Sequence, residues 1–437
     1  MRLSTKPLSF LALLAFSCLL AVQGGLASGQ EAPEPSKDSL TFFIASDLHY
    51  LSPRLGPQGE GYGDALPSQG DKATPYINEI LDAFVEEIIA EKPDVVLLTG
   101  DLTFQGERAS HEDLAQKLAR IDPGVTRVYV IPGDRDIGNG YAGGFEGGQA
   151  APAAPVTAEE FAEIYADFGL SLIRQDKDFS LDYVVESPVG PWILMLDTSL
   201  HGEGSAPGEP VLGGKVDENL FPWIKGMGQK AKEAGHPLIT VTHHNLYRHH
   251  PRLTGDYVLQ NNTKFFEWIY PLGVKLHFSG HTRIQDIVTY EGVSEITSQA
   301  LCLYPHQYGV LRYEGGTLEY NTRRLNLARW AKAKGSDDPN LLHYDAYARS
   351  WLDAALGDDV GALIDPEKYT DQQRMDMLAL VYEVNYQYYC GGDVDEAAVK
   401  EREAYKLLMQ NGGDLAAYLQ SIVADDRVDD THLVVTP

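Results

Sequence analysis

Apolar residues alternate along the chain between short unbroken runs and longer stretches in which they recur every third or fourth position. The runs at residues 41–50 (TFFIASDLHY), 94–101 (DVVLLTGD), 127–136 (RVYVIPGDRD), 238–244 (LITVTHH) and 274–281 (VKLHFSGH) read as buried strands, and each stops at polar residues. Between them, Ile77, Ile80, Leu81, Phe84 and Ile88 mark an amphipathic helix over residues 75–92, and residues 110–121 predict a second. This β-α-β-α-β order predicts a parallel half-sheet. Residues 156–169 resume a helix, while 181–186 and 192–197 predict strands of a second sheet. The alternating runs at 285–290, 294–298, 308–313 and 317–322 predict its antiparallel closure. Two Gly-rich stretches punctuate this pattern: residues 56–70 predict a loop at the mouth of the strand ends, and 138–155 an inserted flap without a core.

Past Leu325 the composition shifts to helix formers and acids. Helices are predicted over residues 342–355, 371–389, 395–410 and 414–423, the last with Leu415, Tyr418, Leu419 and Ile422 on one face, and residues 433–437 are expected to fray. Four segments follow: a leader at 1–27, a tether at 28–38, an α/β domain at 39–325 and a helical C-terminal region at 326–437.

In α/β sheets the carboxyl ends of the strands line a common crevice, so Asp47, His49, Asp101, Asp134, Arg135, His243, His281 and Arg283 are expected to converge. Mixed imidazole and carboxylate donors suit Mn, Fe or Zn rather than Ca or Mg. The motifs DLH, GDLT, GDRD, THH and GHTR, in this order and each at a strand end, resemble the calcineurin-like metallophosphoesterase family in its exported bacterial form, over residues 39–325. The resemblance implies an α/β sandwich of two facing mixed β-sheets flanked by helices, with the helical region appended. It also implies a hydrolase that opens a phosphomonoester or phosphodiester of a small substrate with metal-bound hydroxide.

Carried over residue by residue, one metal position takes Asp47, His49 and a bridging Asp101; the other takes Asp101, Asp134, His243 and His281. Two motifs depart from the family. Asp134 and Arg135 stand for Asn-His, and Arg283 stands for the last His of Gly-His-x-His, where a guanidinium cannot ligate a cation. Three carboxylates against two arginines balance one divalent ion, or none, better than two, so no more than one tight ion is expected. Arg283 should act as a fixed cation beside Asp47 or Asp101, and Arg135 should stabilise phosphoryl charge without donating a proton. Arg135, Arg283 and a supporting or substrate-facing His244 are the candidate catalytic residues. A second reading stays open: a catalytically impaired member that binds a phosphate ligand or a protein partner.

Other residues carry weaker signals. His277 reads as a core histidine, His249 and His250 as a solvated rim, Asp197 as a cap and His306 as structural or site-facing. Arg2 and Lys6 before an apolar core, then small residues to Ala27, predict a secretory signal peptide and a secreted, periplasmic or cell-surface protein. That core is shorter than a spanning helix, so no stable membrane span is expected after its removal. Cys302 and Cys390 read as core thiols. A formal charge of −28 argues against nucleic acid as partner and leaves any anionic substrate to be drawn by local positive charge.

Overall fold

The computed structural model describes residues 39–57, 75–174, 180–201, 209–424 and 429–437, with residues 352–359 described by their helical backbone alone. The leader, the tether and most of the Gly-rich loop at 56–70 lie outside these residues. Strands β1 (Ser39–Ala45), β2 (Val95–Thr99) and β3 (Arg127–Ile131) run parallel. They are joined through helices α1 (Ile77–Glu91) and α2 (Arg108–Leu118), as the apolar rhythm predicts. Their side chains are apolar in unbroken runs because sheet neighbours and layers on both faces exclude water. Phe42, Phe43, Ile44, Val96, Leu97 and Leu98 are each at most 1% exposed, and each such side chain contributes about 1.5–3 kcal/mol relative to solvent.

Residues 138–155 form a small hairpin, β4 (Gly143–Glu146) and β5 (Gln149–Pro152). Gly147 and Gly148 turn it with φ of 57° and 81°, the positive pair that a two-residue hairpin turn requires. Thr157 and Glu160 form a reciprocal cap on α3 (Ala158–Ile164). The second sheet is built from β6 (Tyr183–Val185), β7 (Trp192–Met195), β8 (Leu238–Val241), β9 (Leu276–Ser279), β10 (Asp286–Tyr290) and β11 (Val293–Thr297), in the order β10-β11-β9-β8-β7-β6. Helices α4 (Phe221–Ala234) and α5 (Asn262–Ile269) cover its outer face through Ile224, Phe265 and Trp268.

Two expectations about the sheets are corrected. Strands β12 (Gln307–Glu314) and β13 (Thr317–Arg324) do not close the second sheet; β12 lies antiparallel to β1, pairing Phe42 with Leu311, and β13 follows it. Alternation reveals that a strand has one buried face but not which sheet offers an open edge, and β1 has that edge because β2 occupies only its other side. Nor do residues 433–437 fray: β14 (His432–Val435) pairs with β13 and ends the first sheet, whose order is β14-β13-β12-β1-β2-β3.

Between β13 and β14 run α6 (Leu327–Ala333), α7 (Pro339–Leu342), α8 (Tyr344–Ala362), α9 (Asp371–Tyr389), α10 (Glu396–Glu401), α11 (Glu403–Asn411) and α12 (Gly413–Val423). The single helix predicted over 395–410 is split at Arg402, whose extended backbone (φ −67°, ψ 137°) breaks the ladder. Met377, Leu380, Val384, Leu408, Leu419 and Ile422 form a core of their own, which also takes in Ile284 from the sandwich. No helix of the described residues is long and apolar enough to cross a membrane.

Candidate metal centre

The strand ends turn sharply. Asp47, His49, Asp101, His281 and Arg283 all have positive φ, between 42° and 66°. Asp and His tolerate this region better than most residues, yet each such position costs of order 1–3 kcal/mol. Interlocking hydrogen bonds hold the turns: Asp47 N–H donates to Gly100 O, His49 N–H to Asp101 O and His281 N–H to Asp47 Oδ2, each at 3.0 Å. Gly100 lets the second turn approach the fourth motif, since a Cβ there would lie 2.5 Å from His243 Nδ1. Strain, close packing and polar side chains thus coincide where β1, β2, β8 and β9 end.

Donor atoms of Asp101, Asp134, His243 and His281 form one compact group, and those of Asp47, His49 and Asp101 form another. His243 Nε2 lies 3.3 Å from Asp134 Oδ1 and 3.6 Å from Asp101 Oδ1, and His281 Nδ1 lies 3.2 Å from Asp134 Oδ1. His49 Nε2 lies 3.5 Å from Asp101 Oδ2 and 3.6 Å from Asp47 Oδ1. Four donors about 2.1 Å from a shared ion stand roughly 3.4 Å from one another, so these separations fit ligands better than hydrogen-bond partners. Asp47 Oδ1, Asp101 Oδ2 and Asp134 Oδ2 are buried without a hydrogen bond, which is costly for a carboxylate unless a cation faces it. His243 donates from Nδ1 to Thr99 O at 2.8 Å, and this turns Nε2 toward Asp134 and Asp101 as the nitrogen that would ligate.

Electrostatics agree with that fit. Burial opposes charge on His243, but Asp101, Asp134 and Asp47 outweigh it and push the ring up to about 10. Burial would raise Asp47 and Asp134, yet His49, His243 and Arg283 around the first, and His281 and His243 around the second, hold both below the usual carboxylate range. The cleft demands positive charge. Arg283 Nε supplies part of it 3.7 Å from Asp47 Oδ1. Arg135 lies on the other side, its Nε 3.8 Å from Asp134 Oδ2 and 4.0 Å from Asp101 Oδ2, while its Nη1 donates to Gln105 Oε1 at 3.2 Å.

His244 is buried against this cluster with both ring nitrogens engaged, Nδ1 with Thr198 Oγ1 at 2.8 Å and Nε2 with Leu212 O at 2.9 Å. It packs on the His281 ring, with centroids 4.7 Å apart. His277 sits in the core between Thr240 and Thr242, and His306 between Leu301 O and the Tyr344 hydroxyl. Asp197 holds its own turn by accepting from Ser199 N–H and facing His201. The solvated rim expected for His249 and His250 is overturned, because the C-terminal region covers their loop. His249 is clamped between Asp286 at 2.6 Å and Glu295 at 2.9 Å, and His250 packs on Tyr388 and Tyr418.

One residue in the motifs was passed over. Asp136, the second carboxylate of GDRD, accepts from the amides of Leu102, Thr103 and Gly133, tying the Asp101 turn to the Asp134 turn. Burial, reinforced by Asp101, pushes it up to about 7. The repeated Gly-Asp turns were the available signal. Beyond Arg135 a cavity of about 630 Å³ opens under the hairpin, walled by Phe104, Gln105, Tyr141, Phe145 and Pro152.

Residues 40–284 match the calcineurin-like phosphoesterase family, and residues 326–429 match the C-terminal domain of cyclic nucleotide phosphodiesterase. A search of curated proteins gives no match. Among solved structures, the chain is similar to a dimetal phosphatase from Danio rerio, at 13% identity over 65% of this chain and 96% of that chain, with a TM-score of 0.45. It is similar also to GAP50, the anchor in the inner membrane complex of Plasmodium, at 13% identity over 71% and 95%, with a TM-score of 0.39. A putative 5′-nucleotidase from Staphylococcus aureus in complex with alpha-ketoglutarate aligns at 14% identity over 63% and 50%, with a TM-score of 0.38. Since the family match spans more than half of the residues and ends just past the Gly-His turn that completes the centre, the chain belongs to the calcineurin-like phosphoesterases, hydrolases of phosphoester bonds.

Proposed function

We propose that the protein is an exported phosphodiesterase working with one divalent transition ion, Mn, Fe or Zn, held by Asp101, Asp134, His243 and His281. The observation that carries this reading is the inequality of the two donor groups: among the described residues one has four donors, and the other has three with Arg283 Nε close to Asp47. An ion in the complete group supplies Lewis acidity and lowers the pKa of water. Asp101, Asp134, His243 and His281 fix its position, and Arg283 neutralises Asp47 in place of a second ion. Arg135 binds a phosphoryl oxygen at the wall of the hairpin cavity, orienting the ester so that its organic group enters the space beside Phe104 and Tyr141.

Three carboxylates against two guanidinium groups and one divalent ion leave a single positive charge in excess, which matches the single negative charge of a diester. The match of residues 326–429 to a domain of cyclic nucleotide phosphodiesterase supports the same class, and a cyclic nucleotide is the first natural substrate to assay. Arg135 cannot protonate a leaving group, so the rate should fall about 10²- to 10⁴-fold short of a site with a positioned acid, least for acidic leaving groups. The test is metal analysis together with hydrolysis of bis(p-nitrophenyl) phosphate and p-nitrophenyl phosphate. One bound ion with turnover of the diester supports the reading; a folded protein with neither is a phosphate-binding or protein-interaction module on the same scaffold. Export rests on residues 1–27, and N-terminal sequencing from the native host should find a start near Ser28.

A further inference from the structure

A second cavity, of about 350 Å³, lies between the sandwich and the helical region, away from every donor of the metal centre. Tyr382, Tyr386, Tyr389 and Tyr418 come from α9 and α12, and Tyr304 from the loop between β11 and β12. Tyr304 and Tyr386 stack with centroids 5.7 Å apart and 26° between their planes. The polar groups of the wall are satisfied by the protein itself. Gln299 donates to Tyr304 O and accepts from Gln307 N–H; Asn385 donates to Val381 O and accepts from the Tyr418 hydroxyl. At the rim, Arg252 donates to Asp414 O at 3.0 Å and faces its carboxylate at 3.8 Å, so the two charges offset each other. What remains for recognition is aromatic surface without net charge, in a volume suited to a small molecule. Among the described lining residues no cation is left unshared; Arg324 and Arg349, which are not part of the lining, stack on the Tyr386 ring at 5.9 and 5.1 Å from its centroid.

The wall is also wired to the centre. Gln299, Leu303 and Tyr304 flank three backbone amides that hold the strand-end turns: Ala300 N–H donates to Arg283 O at 3.3 Å, Leu301 N–H to Ser46 O at 2.9 Å and Cys302 N–H to Asp47 O at 3.5 Å. We infer that this cavity is an effector site for a neutral, flat aromatic molecule, and that its occupancy stiffens the 299–303 loop and thereby the Asp47 and Arg283 side of the centre. Binding that orders a segment shared by two sites couples them without a large movement.

The test uses the full chain and 2-naphthol, a neutral bicyclic phenol without phosphate, so its outcome is independent of catalysis. Calorimetry should show saturable one-to-one binding with Kd below about 1 mM. Amide exchange of peptides spanning residues 299–303 should slow at least ~3-fold at saturation, as expected for a loop whose opening the ligand disfavours. Leu363 is 53% exposed at the cavity edge, so Leu363→Trp should fill the space without unfolding the chain and weaken binding at least ~10-fold. Arg252→Ala should leave binding of a neutral ligand within about 3-fold, since it removes no aromatic contact. Absence of binding to the wild type overturns the inference. So does equal binding by a folded Leu363→Trp chain, and binding without slower exchange at 299–303 overturns the coupling.

Discussion

Asp101 stands between two unlike neighbours. On one side Asp134, His243 and His281 complete a group of four donors. Supports surround it: Thr99 O orients His243, and Asp256 O faces His281 Nε2 at 3.2 Å. On the other side, among the described residues, Asp47 and His49 alone join Asp101, and a guanidinium lies near Asp47 where the family carries a further imidazole. This half leans on the C-terminal region instead: Gln285, two residues past Arg283, donates its backbone N–H to Tyr389 O at 3.1 Å and its side-chain amide to Asp430 O at 2.7 Å. The contrast teaches that a fixed side-chain charge can replace an ion's electrostatic role without replacing its chemistry, because a guanidinium can hydrogen-bond a water but does not lower its pKa as a coordinated ion does.

The strongest test of the contrast removes one donor from each half. His243→Ala should abolish tight metal binding and lower diester hydrolysis at least ~10⁴-fold, in line with the several kcal/mol a Lewis acid supplies. His49→Ala should leave the ion in place and lower the rate by no more than ~10-fold. Equal losses, read by metal analysis and initial rates, would erase the distinction.

Next in size is the clamp on His249, which fastens the loop after His243 to β10 and β11. Burial disfavours its charge, but Glu295 and Asp286 prevail and push the ring up to about 10. Its folded value lies above the unfolded one, near 6.5, so the stabilisation is fully present below pH 6.5 and is lost as pH rises toward 10. His249→Ala should therefore cost about 3–5 kcal/mol at pH 6, the range for breaking a buried pair, with the difference from wild type shrinking steadily as pH rises from 6.5 toward 10. Denaturant unfolding at pH 6, 8 and 10 checks it; a gap independent of pH would count against a charged ring.

Rebuilding the incomplete half should have the next largest effect. Arg135→His, Arg283→His and Asp134→Asn together restore an imidazole acid, a fourth donor beside Asp47 and the usual charge balance. A second bound ion and a gain in diester hydrolysis of at least ~10²-fold are expected. Single substitutions should fall short because the groups act as a unit. A triple variant slower than wild type would mean that the arginines are adaptations to catalysis. Smallest is Tyr388→Phe, which removes the 3.1 Å hydrogen bond to His249 O and should cost about 0.5–1.5 kcal/mol with the metal content unchanged.

Much of this arrangement was legible in the chain because the donors are tied to strand ends. An apolar run stopped by Asp-x-His, Gly-Asp, His-His or Gly-His carries its polar residues to the crevice at the strand ends, and Asp47, His49, Asp101, Asp134, His243 and His281 converge there. Long-range partners were not legible. The core-like burial of His249 depends on Glu295 and Asp286, well beyond it in sequence, and on Tyr388 from another region. The strand pairing of β12 with β1 failed for a related reason: a local alternation carries no address. The resemblance of the Gly-His turn and charge together place Arg283 near Asp47 or Asp101, and the structure sets it beside Asp47. Asp136 escaped because its work is to hold two turns together, which shows only once both turns are in space.

The pairing of β14 with β13 changes what the helical region is. Residues 326–431 are spliced into the gap between two adjacent strands of one sheet, so they form an insertion rather than a tail. Cutting the chain after residue 325 would strip the sheet of its last strand and leave the full length of β13 as a raw edge, a template for pairing with another molecule. A shortened form that keeps the sandwich intact must therefore retain residues 432–435 and rejoin them to Arg324 through a hairpin turn.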